Sequence, residues 1–240
     1  MATVEVKCRF CDQTKAVKKH GKGKGGHQRY RCLSCNRTFQ LDYSYRACHA
    51  GIKEQIVDLA MNNSGIRDTA RALHISINAV VRTFKKLRPR SVTTLPLDNL
   101  EIQLICEVDE MWSFVGNKKQ QRWLWYAWEP RLKRIIAHTF GRRGQKTLKK
   151  LLKKLARFNV AFWCTDNFNA YNMLPTNKHL IGKSFTQRIE RENLTLRNRI
   201  KRLNRKTLGY SKSPEMHDKV IGTFIEREYC IQSQSTHWIH

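Results

Sequence analysis

The chain has 240 residues, with 46 Lys and Arg against 19 Asp and Glu, a formal net charge of +27 and a sequence pI of about 10.2. A surplus of this size repels itself unless a polyanion is the partner, which sets aside an enzyme of small anionic metabolites and points to nucleic acid or an anionic membrane surface. No apolar run approaches the ~18–20 residues needed to span a bilayer, and 40% hydrophobic residues with six Trp and ten Phe exclude a disordered chain.

The first fifty residues hold two C-x2-C pairs, Cys8/Cys11 and Cys32/Cys35. Four thiolates in two close pairs suit one tetrahedral zinc ion, and the spacing is that of a zinc ribbon over residues 1–46. The Gly- and Lys-rich stretch from Lys18 to His27 reads as a charged hairpin between the pairs. Two disulfides are the competing reading. The amino terminus MATVEVKCRF has no apolar signal region, so a reducing compartment is expected.

Residues 47–88 read as three helices. Ile52, Ile56, Leu59 and Ala60 recur at helical spacing, IRDTARAL follows, and SINAVVRTFKKL closes the set. Ser76 is placed to cap the last helix, with Ile77, Val80, Val81 and Phe84 expected on its inner side. The short break at His74-Ile75 makes a helix-turn-helix whose last helix would enter a DNA major groove. Its expected DNA-facing residues are Ser76, Asn78, Arg82, Lys85 and Lys86. Residues 89–98 read as a linker.

From Glu101 the texture changes to strands: EIQLICEVD, WLWYAW and RIIAHTF. QKTLKKLLKKLARF is an amphipathic helix with leucines inward and lysines outward, in a stretch (141–165) holding eight cations and no acid. Lys149 and Lys153 on its outer face are expected to contact DNA phosphates. VAFWCTD and HLIGK read as further strands, and QRIERENLTLRNRIKRLNR as a long basic helix. The pattern predicts a mixed α/β sheet. Asp109 is expected to close the first strand and Asp166 the fourth. Carboxylates gathered at neighbouring strand ends need compensation, which Mg2+ or Mn2+ provides in phosphoryl transfer. On the long helix, ~100° per residue sets Glu190, Asn193 and Arg197 along one edge of the apolar stripe and Glu192 on the other. Glu190 is therefore the third expected metal ligand, with Arg197 as a phosphate contact.

With these blocks in this order, the chain resembles the transposases of the bacterial insertion sequence 1 family. The resemblance is carried by the four cysteines with Gly26-His27-Gln28-Arg29-Tyr30 between them, the helix-turn-helix, Asp109-Glu110-Met111-Trp112 and Gln121-Arg122-Trp123-Leu124. Thr165-Asp166, Gln187 to Arg191 with Asn193-Leu194 and Leu196-Arg197, and His217 to Gly222 complete it, with Glu192 an extra acid in the motif that begins at Gln187. It implies a ribonuclease-H-like catalytic domain over residues 99–222 with Asp109, Asp166 and Glu190 as a DDE triad, and a variable tail at 223–240. It also implies amino-terminal modules that bind the element's terminal inverted repeats. The expected partners are double-stranded DNA, at element ends and target, and further copies of the chain on DNA, with no membrane. The reading of another class is a DNA-binding repressor of the element with an inert catalytic half. The intact acids speak for a DDE recombinase that cleaves DNA and joins the 3′-OH to target.

Overall fold

The computed structural model describes residues 5–23, 26–41, 45–93 and 103–230. The hairpin tip at Lys24-Gly25, the linker residues 94–98, the first residues of the third segment (99–102) and the tail from 231 lie outside them.

Strands β1 (Val17–Lys22), β2 (Gln28–Cys32) and β3 (Thr38–Gln40) form an antiparallel sheet in that order. Among the described residues its buried core is Cys8, Cys32 and Phe39, edged by Val6, Ala16, Val17 and Tyr30, the last stacked on Phe39 at 5.8 Å. So small a core does not offset the entropy of ordering the chain, and the module depends on a metal for stability.

Helices α1 (Ile52–Met61), α2 (Ile66–Ala72) and α3 (Ile77–Lys86) enclose Ile56, Ala60, Ala70, Ile75, Val80 and Phe84. Ser76 Oγ caps α3 by accepting from the Ala79 amide at 3.2 Å, and also accepts from the Tyr45 hydroxyl at 2.7 Å. Ile77 differs from expectation: it is 48% exposed. It sits at the first position of α3, where Ile75 from the turn already occupies the core, so its side chain is left outside.

The remainder is an α/β unit. Strands β4 (Leu104–Val115), β5 (Asn117–Glu129), β6 (Arg134–Gly141), β7 (Val160–Thr165) and β8 (His179–Ile181) form one sheet in the order β6-β5-β4-β7-β8. β4 is antiparallel to β5 and parallel to β7, which gives the mixed, ribonuclease-H-like sheet that the resemblance implies. Helix α4 (Gln145–Leu155) lays Leu148, Leu151 and Leu155 on one face, over Cys106, Val108 and Trp125. Helices α5 (Gln187–Arg199) and α6 (Pro214–Ile225) cover the other, over Met111, Leu124 and Tyr126.

Three boundaries move. β4 does not close at Asp109 but continues to Val115, because Met111, Ser113 and Val115 extend the alternation and β5 pairs with it as far as the turn at Gly116 (φ 75°). Asp109 is thus mid-strand. The long helix stops at Arg199, where Ile200 turns extended (φ −127°, ψ 94°) and the Asn63 side chain takes the Lys201 amide at 2.8 Å. The expected boundary at 222 falls inside α6, whose Phe224 and Ile225 are buried in the core.

The helix-turn-helix is not a bead on a string. Val220 of α6 completes its core, and Asn63 Nδ2 donates to the Arg199 carbonyl at 2.6 Å. Gly222 is required for this contact: a Cβ there would meet Pro89 Cγ at 2.9 Å. The first linker residues run along β6, with Val92 bridged to Ala137 and the Thr93 amide donating to Ile136 at 2.8 Å.

Candidate active site

The four ribbon cysteines converge. Cys8 and Cys35 Sγ lie 3.7 Å apart, Cys11 and Cys32 Sγ 3.5 Å apart, and all four lie within 4.8 Å of one another. A tetrahedron with ~2.3 Å metal–sulfur bonds has edges of about 3.8 Å. Among themselves the thiols share their protons unevenly: amide N–H groups, that of Cys35 foremost, draw Cys32 down to about 6, while Cys11, against the pull of the Gln13 backbone, is pushed up to about 12 by burial and the neighbouring thiols. Geometry and donor chemistry both fit zinc.

On α3, Ser76, Asn78, Arg82, Lys85 and Lys86 are all exposed. The Ser76 hydroxyl is engaged as the helix cap, and so orients the helix start. Beside it, Ile77 lines an open pocket with Arg67, Arg71 and His74. Lys149 and Lys153 are exposed on α4. These last two are on a separate element from α3.

The carboxylates meet at the end of β7. Its pairing with β4 ends at Glu107 opposite Cys164, so from Asp109 onward β4 has an open side there. The result is a cleft of about 730 Å³ bordered by Asp109, Asp166 and Glu190, with Arg143, Arg191, Arg197 and Arg205 around it. Among the described residues, only the cysteine set brings three or more ligand atoms within 4.8 Å of one another; the three acids share the cleft at wider spacing.

Each acid is placed differently. Asp109 Oδ2 accepts from Asn193 Nδ2 at 2.5 Å and Oδ1 from the Glu110 amide at 2.8 Å. Burial, reinforced by the charges of Glu110 and Asp166, pushes its carboxyl up to about 7 despite these donors. A carboxylate that burial and neighbouring acids make costly to ionise is one that a divalent cation would stabilise. Asp166 Oδ1 accepts from the Phe168 amide at 3.0 Å, which fixes the loop after β7. The exposed Glu190 carboxylate has no protein partner among the described residues. Glu192, by contrast, accepts from the Tyr229 hydroxyl and does not border this cleft.

Several positioning residues escape a sequence reading. Glu107 is buried and its Oε2 accepts from the Ile189 amide at 2.7 Å, holding the amino end of α5, the helix that carries Glu190. Tyr126 donates to Asn193 Oδ1 at 2.8 Å and so locks the amide that orients Asp109. Glu110 accepts from Tyr171 at 2.6 Å and Arg143 at 2.9 Å, and the Arg143 guanidinium stacks over Phe168 at 4.1 Å. The only available signal was Glu110's adjacency to Asp109, since its partners lie far away in sequence. Arg197 borders the cleft as expected but donates to the carbonyls of Leu203 and Trp112, which ties it to the wall.

Comparison with known proteins covers nearly the full chain. The family model described as IS1 transposase matches residues 103–231, that of the InsA C-terminal domain residues 43–88, and that of the InsA N-terminal domain residues 1–36. The insertion element iso-IS1n protein InsB of Shigella dysenteriae is 55% identical over 125 residues, 52% of this chain and 95% of that protein. The insertion element IS1 2 protein InsB of Escherichia coli (strain K12) is 47% identical over 143 residues, 59% of this chain and 86% of that protein.

Proposed function

The chain belongs to the IS1 transposase family, and on that premise we propose that Asp109, Asp166 and Glu190 form the catalytic centre of a DDE transposase that cleaves element ends and joins the 3′-OH to target DNA. It is an insertion-sequence transposase carrying a zinc ribbon and a DNA-binding helix-turn-helix. The observation that carries the catalytic reading is the cleft itself, lined by three acids, from β4, the loop after β7 and α5, and by four arginines.

Mg2+ (or Mn2+) held by the three carboxylates would activate the attacking oxygen and stabilise the leaving one. The chain's own residues prepare that chemistry. Asn193, fixed by Tyr126, turns Asp109 toward the cleft. Glu107 holds the start of α5, which sets the reach of Glu190. Arg191 and Arg205 supply donors for the phosphate oxygens, and Arg197 adds charge from a fixed position. Arg143, bound to Glu110, keeps one wall of the cleft rigid.

At the amino end, Asn78, Arg82, Lys85 and Lys86 would meet the inverted repeat, with Ser76 setting the helix start and Ile77 adding an apolar contact. Lys149 and Lys153 would add phosphate contacts of no sequence preference. Two element ends present two scissile phosphates, so the working enzyme is a homo-oligomer on DNA. The test is incubation of the full chain with labelled element-end DNA and Mg2+, which should give both nicked and joined products. Binding without either product would leave the repressor reading in its place.

A further inference from the structure

A second groove, of about 750 Å³, lies on the other side of α5 from Glu190. Trp128 and Tyr229, in edge-to-face contact at 5.9 Å, contribute its apolar surface. Lys133, Arg188 and Arg191 line it as well, and none of the three forms a salt bridge among the described residues; Arg188 also lies in the field of the buried Glu107, and Arg131, in the same lining, is tied to Glu129. The acid in this lining, Glu192, is engaged by the Tyr229 hydroxyl. Arg191 borders both this groove and the catalytic cleft, so the two form one basic path over α5.

The direction of that path follows from how the helix-turn-helix docks. Asn63 bonds the carboxy end of α5 through the Arg199 carbonyl and the Lys201 amide. Arg188 is eleven residues earlier, about 16 Å back along the helix at 1.5 Å per residue. The helix-turn-helix docks at the carboxy end of α5, so DNA that it holds and that runs along α5 past Glu190 would reach the second groove. Lysine and arginine suit phosphates rather than particular bases. DNA beyond the cut site has arbitrary sequence, differing at each insertion, and needs a contact of that kind.

We propose that this groove holds the host DNA on the far side of the scissile phosphate, before cleavage as flank and during joining as target. The proposal rests on the catalytic reading of the adjoining cleft. Its test uses the full-length chain and two duplexes, one ending at the cut site and one continuing for about ten base pairs, a helical turn, into host sequence. The double variant Lys133→Gln/Arg188→Gln is compared with Lys118→Gln/Lys119→Gln, the same charge change at the opposite end of β5. The wild type should bind the longer duplex more tightly and with a steeper salt dependence. The first variant should lose that extra affinity, its salt slope on the longer duplex falling by about 2, while its binding to the shorter duplex stays within about twofold. Equal loss on both duplexes, no loss on either, or the same loss in the Lys118/Lys119 control would overturn the proposal. Because the readout is binding, it is independent of the catalytic assignment. Should Glu190→Gln still cleave DNA, the catalytic reading fails by itself and the flank dependence still decides the groove.

Discussion

Replacing His217 by Gln should make stability less sensitive to acid, by an amount the structure allows to be worked out. His217 is fully buried between two hydroxyls, Nε2 at 3.0 Å from Ser113 Oγ and Nδ1 at 3.0 Å from Ser211 Oγ. Arg202 donates to Ser211 Oγ at 2.8 Å, which leaves the Ser211 proton for Nδ1; Nε2–H then donates to Ser113, whose own proton goes to the Arg122 carbonyl. This chain of donors closes with a neutral ring. Burial, with the charges of Arg202 and Arg122, brings the ring down to about 3 from the ordinary 6.5. The folded-state value is the lower one, so this contribution to stability is complete above pH 6.5 and is lost as pH falls toward 3. At 1.36 kcal/mol per unit, the unfolded chain gains an advantage of ~2 kcal/mol between pH 7 and pH 5. Asp109, titrating near 7, and His138, also brought down to about 3 by burial, titrate in or across the same window. Both are common to wild type and variant, so the difference between the two proteins isolates His217. Urea unfolding followed by circular dichroism should find His217→Gln less stable at pH 7 by ~1–3 kcal/mol, the cost of broken buried hydrogen bonds. That gap should narrow by ~2 kcal/mol at pH 5. A gap that stays constant with pH refutes a buried neutral ring.

Other expectations follow from the packing and the DNA-facing residues. Purified protein should contain about one zinc per chain, and Cys35→Ser should lose metal and element-end binding together; full specific binding without zinc would rule out a structural role for the ion. Gly222→Ala should destabilise by ~1–3 kcal/mol, because its Cβ meets the Pro89 ring; Pro89→Ala in the same chain should recover part of the loss in a thermal melt. Arg82→Ala should reduce preference for element ends over random DNA, whereas Lys149→Ala or Lys153→Ala should weaken all binding alike; uniform loss in both would remove α3 as the reader. If Ile77 touches a thymine methyl, replacing thymine by uracil at one or more positions of the repeat should weaken wild-type binding but not binding by Ile77→Ala.

Periodicity and spacing revealed most of this architecture, and their failures have identifiable causes. The C-x2-C pairs define the ribbon because metal geometry, not a core, determines that module. Helical phase separated Glu190 from Glu192 before any contact was known, and the two side chains line different grooves. Ile77 misled because phase says which stripe a residue is on, not whether a neighbour covers that end of it. Asp109 reads as a strand end because an acid interrupts an apolar run, yet pairing with β5 carries the strand six residues further. Glu107 could not be recognised at all: its role depends on the Ile189 amide, brought to it only by the fold.

The most direct test sets Glu190→Gln beside Glu192→Gln on one cleavage gel, with Asp109→Asn and Asp166→Asn alongside, all matched for fold by circular dichroism and for binding to element ends. A catalytic centre at Asp109, Asp166 and Glu190 predicts that these three variants bind but do not cleave, while Glu192→Gln keeps most of its activity. An active Glu190→Gln beside a dead Glu192→Gln would contradict it and move the third ligand to the other side of α5.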